Sequence, residues 1–131
     1  MATTTNEKND NDNMLFRGEQ KLTFDWESST GGIASKTSDY PYNGKVEEVV
    51  FVNDTGSRVP TTAYDVTVND EDGDDVLAGL GANVSSTGTR FYKHRKDGLG
   101  LVVYSKLSLS VANAGNTKGG KVILFIHSNS D

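Results

Sequence analysis

The run Asp70-Glu71-Asp72-Gly73-Asp74-Asp75 is the densest group of chemistry-bearing side chains in the sequence. Hard cations want several oxygen ligands converging on a tight turn, so the run invites a calcium reading. Its spacing does not fit the helix–loop–helix calcium loop, because placing Gly73 at the sixth position puts Val68 on the first, a ligand position. The preferred reading is a solvated turn whose aspartates accept hydrogen bonds from nearby backbone amides. His94 and His127 have no third metal ligand at a useful spacing, and surface or interface roles suit them better. There is no Gly-x-Ser-x-Gly elbow, and scattered serines, histidines and aspartates do not define a triad. Paired carboxylates for glycoside hydrolysis are defined by spatial separation, and nothing in the sequence selects a pair. Gly79-Leu80-Gly81 and Gly98-Leu99-Gly100 lack the lysine and the following helix of a phosphate loop. No reaction is indicated, so a non-enzymatic protein without metal or cofactor is expected.

A second group is basic: Arg90, Lys93, His94, Arg95 and Lys96, with Phe91 and Tyr92 interleaved. Such interleaving can mark a nucleic-acid patch. The formal charge of −5 and pI near 4.9 argue against it, since an acidic protein repels phosphate backbones. Strand alternation would also split these residues between two faces. A charged sheet edge that discourages strand pairing fits better, with docking onto an acidic partner surface as the next reading. Aromatic residues gather in the N-terminal third at Phe16, Trp26, Tyr40 and Tyr42, and tryptophan and tyrosine are frequent interface anchors. Trp26 stands in register with Leu22 and Phe24, which also suits a core position, whereas Phe16 is isolated in a polar lead-in. The candidate partner or oligomer surface is therefore Phe16, Trp26, Tyr40, Tyr42, Arg90, Lys93 and Arg95.

The elements that must position these residues read as strands. Residues 20–27 alternate Leu22, Phe24 and Trp26 against Lys21, Thr23, Asp25 and Glu27. A short strand is expected at 33–35. In 45–53, Val46, Glu48, Val50 and Val52 share one parity and Glu47, Val49 and Phe51 the other; an apolar second half on both sides suggests a place inside a sheet. Residues 61–69 set Tyr64, Val66 and Val68 on one face and Asp65 and Thr67 on the other. One helical turn is considered at 74–78. Strands follow at 89–94 and along the longest alternation, from Leu101 to Val111, with a hairpin turn at Lys96-Asp97-Gly98. A mobile glycine- and asparagine-rich connection, 112–120, leads to a last strand, 121–127, apolar on both faces. About seven strands and no convincing helix predict an all-β antiparallel sandwich, jelly-roll or immunoglobulin-like.

A chain of 131 residues suits one domain. The apolar share is 34%, and adding the 14 glycines brings it to about 45%, the low edge of normal on that count. Residues 1–13 are almost wholly polar and bury too little to offset ordering costs of about 1–2 kcal/mol per residue. A flexible arm at 1–13, ordering only against a neighbour, and a single sandwich over 14–131 are expected. With no cysteine there are no disulfides or thiolate ligands. Residues 1–8 show neither a basic nor an apolar leader region, and no run nears the roughly 18 apolar residues of a membrane span. Synthesis in the cytoplasm, with no membrane partner, is expected.

Three stretches carry a resemblance: the 45–53 strand; the 64–83 segment, a tyrosine-led strand entering an aspartate/glycine turn and then a Gly81-Ala82-Asn83 loop; and Leu107-Ser108-Leu109-Ser110-Val111-Ala112-Asn113-Ala114-Gly115 leading to Gly119-Gly120-Lys121-Val122-Ile123-Leu124. Together, over roughly 44–126, they resemble small structural proteins of tailed bacteriophages. The resemblance implies a virion protein, foremost a capsid decoration or cement protein on the capsid surface, with the major capsid protein as partner and self-association, as a trimer, at symmetric sites. It implies no catalytic residue. A tail or neck component is the alternative within that class; a carbohydrate- or calcium-dependent binding module is the alternative outside it.

Overall fold

The computed structural model describes residues 4–9, 19–87, 90–93 and 101–127. Nine strands lie among them: β1 (Thr4–Asn9), β2 (Glu19–Glu27), β3 (Ala34–Thr37), β4 (Gly44–Asn53), β5 (Asp65–Asn69), β6 (Arg90–Lys93), β7 (Leu101–Val103), β8 (Ser108–Ala112) and β9 (Gly119–His127). They form two antiparallel sheets, one curved as a half-barrel. The larger runs β1-β2-β9-β4, with β6 and β7 on successive stretches of the far edge of β4; the smaller runs β3-β8-β5. Counting β6 and β7 as one interrupted strand and leaving β1 aside gives the seven that the alternation predicts.

The core is what the period-2 pattern requires. Leu22, Phe24 and Trp26 from β2, with Val122, Leu124 and Ile126 from β9, meet Val66, Val68, Leu109 and Val111 of the smaller sheet. Fully burying one such side chain contributes about 1.5–3 kcal/mol, so these two central strands dominate the packing. Trp26 lies against Tyr64 with ring centroids 5.6 Å apart at 50°, and the Tyr64 hydroxyl donates to Asn53 Oδ1 at 2.6 Å. Burial pushes the Tyr64 phenol pKa upward. Trp26 Nε1 and Gln20 Oε1 are buried without a hydrogen-bond partner among the described residues, at a cost of about 1–3 kcal/mol each.

Several expectations change in physically informative ways. In β4 the register against β9 shifts between Val46 and Glu48. That bulge exchanges the two parities, so Val46 faces the core together with Val49 and Phe51 instead of with Val50 and Val52. Val50 and Ile123 pair on the opposite face and are also buried, which fits interior strands that are apolar on both sides.

The long alternation from Leu101 to Val111 is two strands, not one: β7 belongs to the larger sheet and β8 to the smaller. Its parity survives because Val103, Ser105, Leu107, Leu109 and Val111 all remain buried while the chain crosses between sheets. The strand expected at 61–69 starts only at Asp65, since Ala63 takes a left-handed φ of 65°. The strand expected at 33–35 is Ala34–Thr37.

In place of a helical turn, residues 75–82 form consecutive hydrogen-bonded turns. These fold back along β5: Val68 donates to Asp75 Oδ1, Val76 donates to the Val68 carbonyl, and Val66 donates to the Gly81 carbonyl. The exposed edge of β5 is thereby satisfied without another strand. A Cβ at position 81 would overlap the Val66 carbonyl, so only glycine permits this approach.

Within the arm expected to be flexible, Thr4–Asn9 instead pairs antiparallel with β2. Ladder hydrogen bonds at a sheet edge do not require apolar side chains, which is why polarity alone misreads this segment. The rest of that arm lies outside the described residues. So do Phe16, His94, Arg95 and the hairpin turn expected at 96–98.

Candidate functional site

Strand directions sort the loops into two ends. Residues 38–43, 70–75 and 104–107 meet where β3, β5 and β7 finish and β4 and β8 begin; 28–33, 54–63 and 113–118 meet at the opposite end. These are called the Tyr104 end and the Arg58 end.

At the Tyr104 end the sheet-crossing segment is locked from both sides. Tyr42 N–H donates to the Ser105 carbonyl at 3.0 Å and Ser38 N–H to the Leu107 carbonyl at 2.7 Å. Leu107 N–H donates to Ser38 Oγ, whose hydroxyl donates to the Tyr40 carbonyl. Ser105, the one polar residue on the inward side of the crossing, accepts from Glu71 N–H and donates to the Lys106 carbonyl. Its burial therefore leaves no unmet hydroxyl, and it ties the acidic turn to the crossing.

Inside that turn, Asp70 Oδ1 accepts from Asp72 N–H at 2.9 Å and Asp74 N–H at 3.0 Å. Asp75 Oδ1 accepts from Val68 and Leu77, and its Oδ2 from Gly79. This is the backbone-capping arrangement expected of aspartates at a turn. Among the described residues no group of three His, Cys, Asp or Glu side chains is placed to hold a metal ion. Glu71, Asp72 and Asp74 stand exposed, and none of them is ion-paired among the described residues. The Tyr104 hydroxyl donates to Asp72 Oδ2 at 3.2 Å. The nearby charge of Asp72, and the hydrogen bond to it, hold the Tyr104 pKa above the ordinary phenol value, with Asp70 and Asp74 adding to the effect.

Bulky apolar side chains stand in solvent toward the same end. Tyr40 is 58% exposed, Val102 53% and Tyr104 69%. Val102 and Tyr104 share the outward parity of the crossing, and the 38–42 loop carrying Tyr40 runs antiparallel to its second half.

Of the sequence-based candidates, Tyr40 is at this surface. Trp26 and Tyr42 are core residues, 1% and 0% exposed, and are corrected as surface candidates. Trp26 follows the inward parity of β2, and Tyr42 is drawn inside where its amide pairs with Ser105. Arg90 and Lys93 lie on β6, paired with Val52 and Val49 at the sheet edge where a charged edge strand was expected. Val102 and Tyr104 escaped the sequence reading. Their signal was two large apolar residues on the outward side of an alternation whose inward side was already filled.

The Arg58 end is built differently. Arg58 Nε pairs with Asp54 Oδ2 at 3.0 Å and its Nη1 with Glu27 Oε2 at 3.3 Å. The Ser28 hydroxyl donates to the Gly115 carbonyl and accepts from Lys118 N–H, and Lys118 Nζ donates to the Ser57 carbonyl. The connection expected to be mobile is thus fastened: Ala114 N–H donates to the Gly32 carbonyl, and Thr61 N–H to the Ala114 carbonyl.

No protein-family model matches the chain, and no significant match is found among curated proteins or among solved structures.

Proposed function

We propose that this chain is a non-enzymatic virion structural protein, a decoration or cement protein that binds an assembled phage head and stabilises it by bridging capsomers. The observation that carries the docking part is the Tyr104 end, where exposed Val102 and Tyr104 lead into a crossing held by hydrogen bonds on both sides and exposed Tyr40 stands on the loop that flanks it. Exposed apolar side chains on a pre-ordered surface favour association, because little ordering entropy remains to be lost on contact. The virion part rests on the resemblance in β4, the β5 segment with its return loop, β8 and the start of β9. Many modest contacts repeated by symmetry supply avidity on a shell. The partners are the major capsid protein and further copies of this chain, as a trimer, at the capsid surface; the charge of −5 disfavours direct contact with packaged nucleic acid.

A tail or neck position is the second reading, supported by the same surface. A calcium-dependent module has less support, because the Asp70 and Asp75 carboxylates already serve backbone amides. Immunogold labelling of purified virions with antibody against this chain tests the reading. Regular gold on heads is expected. Gold confined to tails moves the protein to the second reading, and unlabelled virions with an accessible epitope overturn both.

A further inference from the structure

The two buried side-chain atoms without a hydrogen-bond partner among the described residues, Gln20 Oε1 and Trp26 Nε1, lie on the same strand, β2. One accepts and the other donates. Neither serves the other, because six steps of extended strand separate their backbones by about 20 Å. Positions 20 and 26 are symmetric about Thr23. So are Lys21 and Asp25, of opposite charge, and Leu22 and Phe24, both apolar. β2 therefore reads as its own antiparallel complement.

Its present neighbour on that edge matches it less well. β1 sets Thr5 opposite Trp26, Glu7 opposite Phe24 and Asn9 opposite Leu22, and it contains no apolar residue. Its ladder covers Leu22 to Glu27 and stops short of Gln20 and Lys21. Ser28 N–H donates to the Lys118 carbonyl, on the β9 side. By the alternation of an antiparallel strand, the odd-numbered residues of β2 direct their N–H and C=O groups to the β1 side, with Thr23 at their centre.

We infer that β1 is a displaceable cover, and that β2 of a second copy takes its place in an antiparallel, two-fold pairing centred on Thr23. The ladder then runs over nine residues in place of six. It sets Lys21 opposite the second copy's Asp25, Leu22 opposite its Phe24 and Gln20 opposite its Trp26, each twice by symmetry. Residues directly opposite have Cβ atoms about 4.5–5.5 Å apart, within reach of a bond from the indole N–H to the amide oxygen. Opposite charges and apolar pairs across the strands favour the exchange, and it satisfies both unmet groups in each copy. Glu19 falls opposite Glu27 at each end of the ladder, where Glu27 is already paired with Arg58. The inference is independent of the virion reading. Its contact is two-fold, so it joins copies of different trimers.

The test is sedimentation equilibrium of the full chain from micromolar to millimolar concentration, where a monomer–dimer equilibrium is expected. Lys21→Glu and Asp25→Lys should each weaken it about tenfold, by setting like charges opposite each other at two places. The two together should restore it to within about threefold of the parent. The chain has no cysteine, so Thr23→Cys under mild oxidation should link dimers through one bond at the two-fold axis. The indole N–H resonance of Trp26, the only tryptophan, should move with concentration in the parent and stay in place in Gln20→Met.

A chain that stays monomeric across that range overturns the inference. So does the absence of a Thr23→Cys cross-link, or an association that ignores the single charge reversals or is not rescued by the double one. A trimer that ignores them leaves the virion reading standing, and unlabelled virions leave this contact standing.

Discussion

At the Arg58 end, charged side chains are turned on one another and the loops are sewn together through Ser28 and Lys118. At the Tyr104 end Glu71, Asp72 and Asp74 stand exposed, and the Tyr104 hydroxyl meets Asp72. The loops of the Tyr104 end are rich in Asp and those of the Arg58 end in Gly, Ser and Thr, and both are ordered by side-chain-to-backbone hydrogen bonds. The difference lies in where the bonding capacity is directed. The Arg58 end uses it to close the sandwich, while the Tyr104 end uses the Asp70, Ser38 and Ser105 side chains for that, pairs Asp39 with Lys36, and leaves Glu71, Asp72 and Asp74 without an ion pair among the described residues. A closed end contributes stability, and an open, rigid end is suited to contact with another molecule.

Mutations can separate the two roles. The largest effect is expected beneath the Arg58 end, where Trp26→Ala removes a core ring and should cost about 3–5 kcal/mol in chemical denaturation. Ser28→Ala should follow at about 1–3 kcal/mol, because Lys118 N–H loses its acceptor in a partly buried site. Tyr104→Ala, by contrast, should change stability by less than about 0.5 kcal/mol, since the ring is mostly in water. A comparable loss of stability from Tyr104→Ala and Ser28→Ala would erase the distinction between the ends.

The Arg58 ion pairs are half-exposed, so Arg58→Met should cost only about 0.2–1 kcal/mol, and the difference should shrink in high salt. The smallest effect concerns acid. The Asp65 carboxylate accepts from Asn83 N–H and Asn113 Nδ2, which hold its pKa below the ordinary carboxylate value. The folded state thus favours the ionised form, and the stability this gives is present above the unfolded pKa and lost as pH falls through the folded one. Thermal melts between neutral and strongly acidic pH should show a shallower decline for Asp65→Asn than for the parent. An identical decline would remove Asp65 from the acid response.

The pattern of apolar residues was enough to read the two-sheet, all-β architecture, because inward parity is written directly into β2, β5 and β8, and an interior place into β9, apolar on both faces. Three features were not legible. The β4 bulge depends on a register relation with a strand distant in sequence. The crossing at Ser105 keeps its parity, so a change of sheet leaves no mark on the alternation. The pairing of β1 relies on backbone hydrogen bonds that composition does not report. Among site residues, Tyr40 was legible as one of the aromatics of the N-terminal third, and Trp26 and Tyr42 were misplaced because aromatic type alone does not distinguish anchor from core. Val102 and Tyr104 became visible only once the inward face was seen to be complete.

The most direct measurement sets one end against the other on a shell. Heads prepared without this chain are mixed with the parent protein, with a Tyr40→Ser/Tyr104→Ser double variant, or with Ile33→Ser, which alters an exposed apolar residue at the Arg58 end. Sedimentation of bound protein is read after all three are shown to melt alike. Saturable binding of the parent and of Ile33→Ser, with loss in the double tyrosine variant, is the expected result. Loss with Ile33→Ser while the tyrosine variant still binds, or no binding by the parent, would contradict docking through the Tyr104 end.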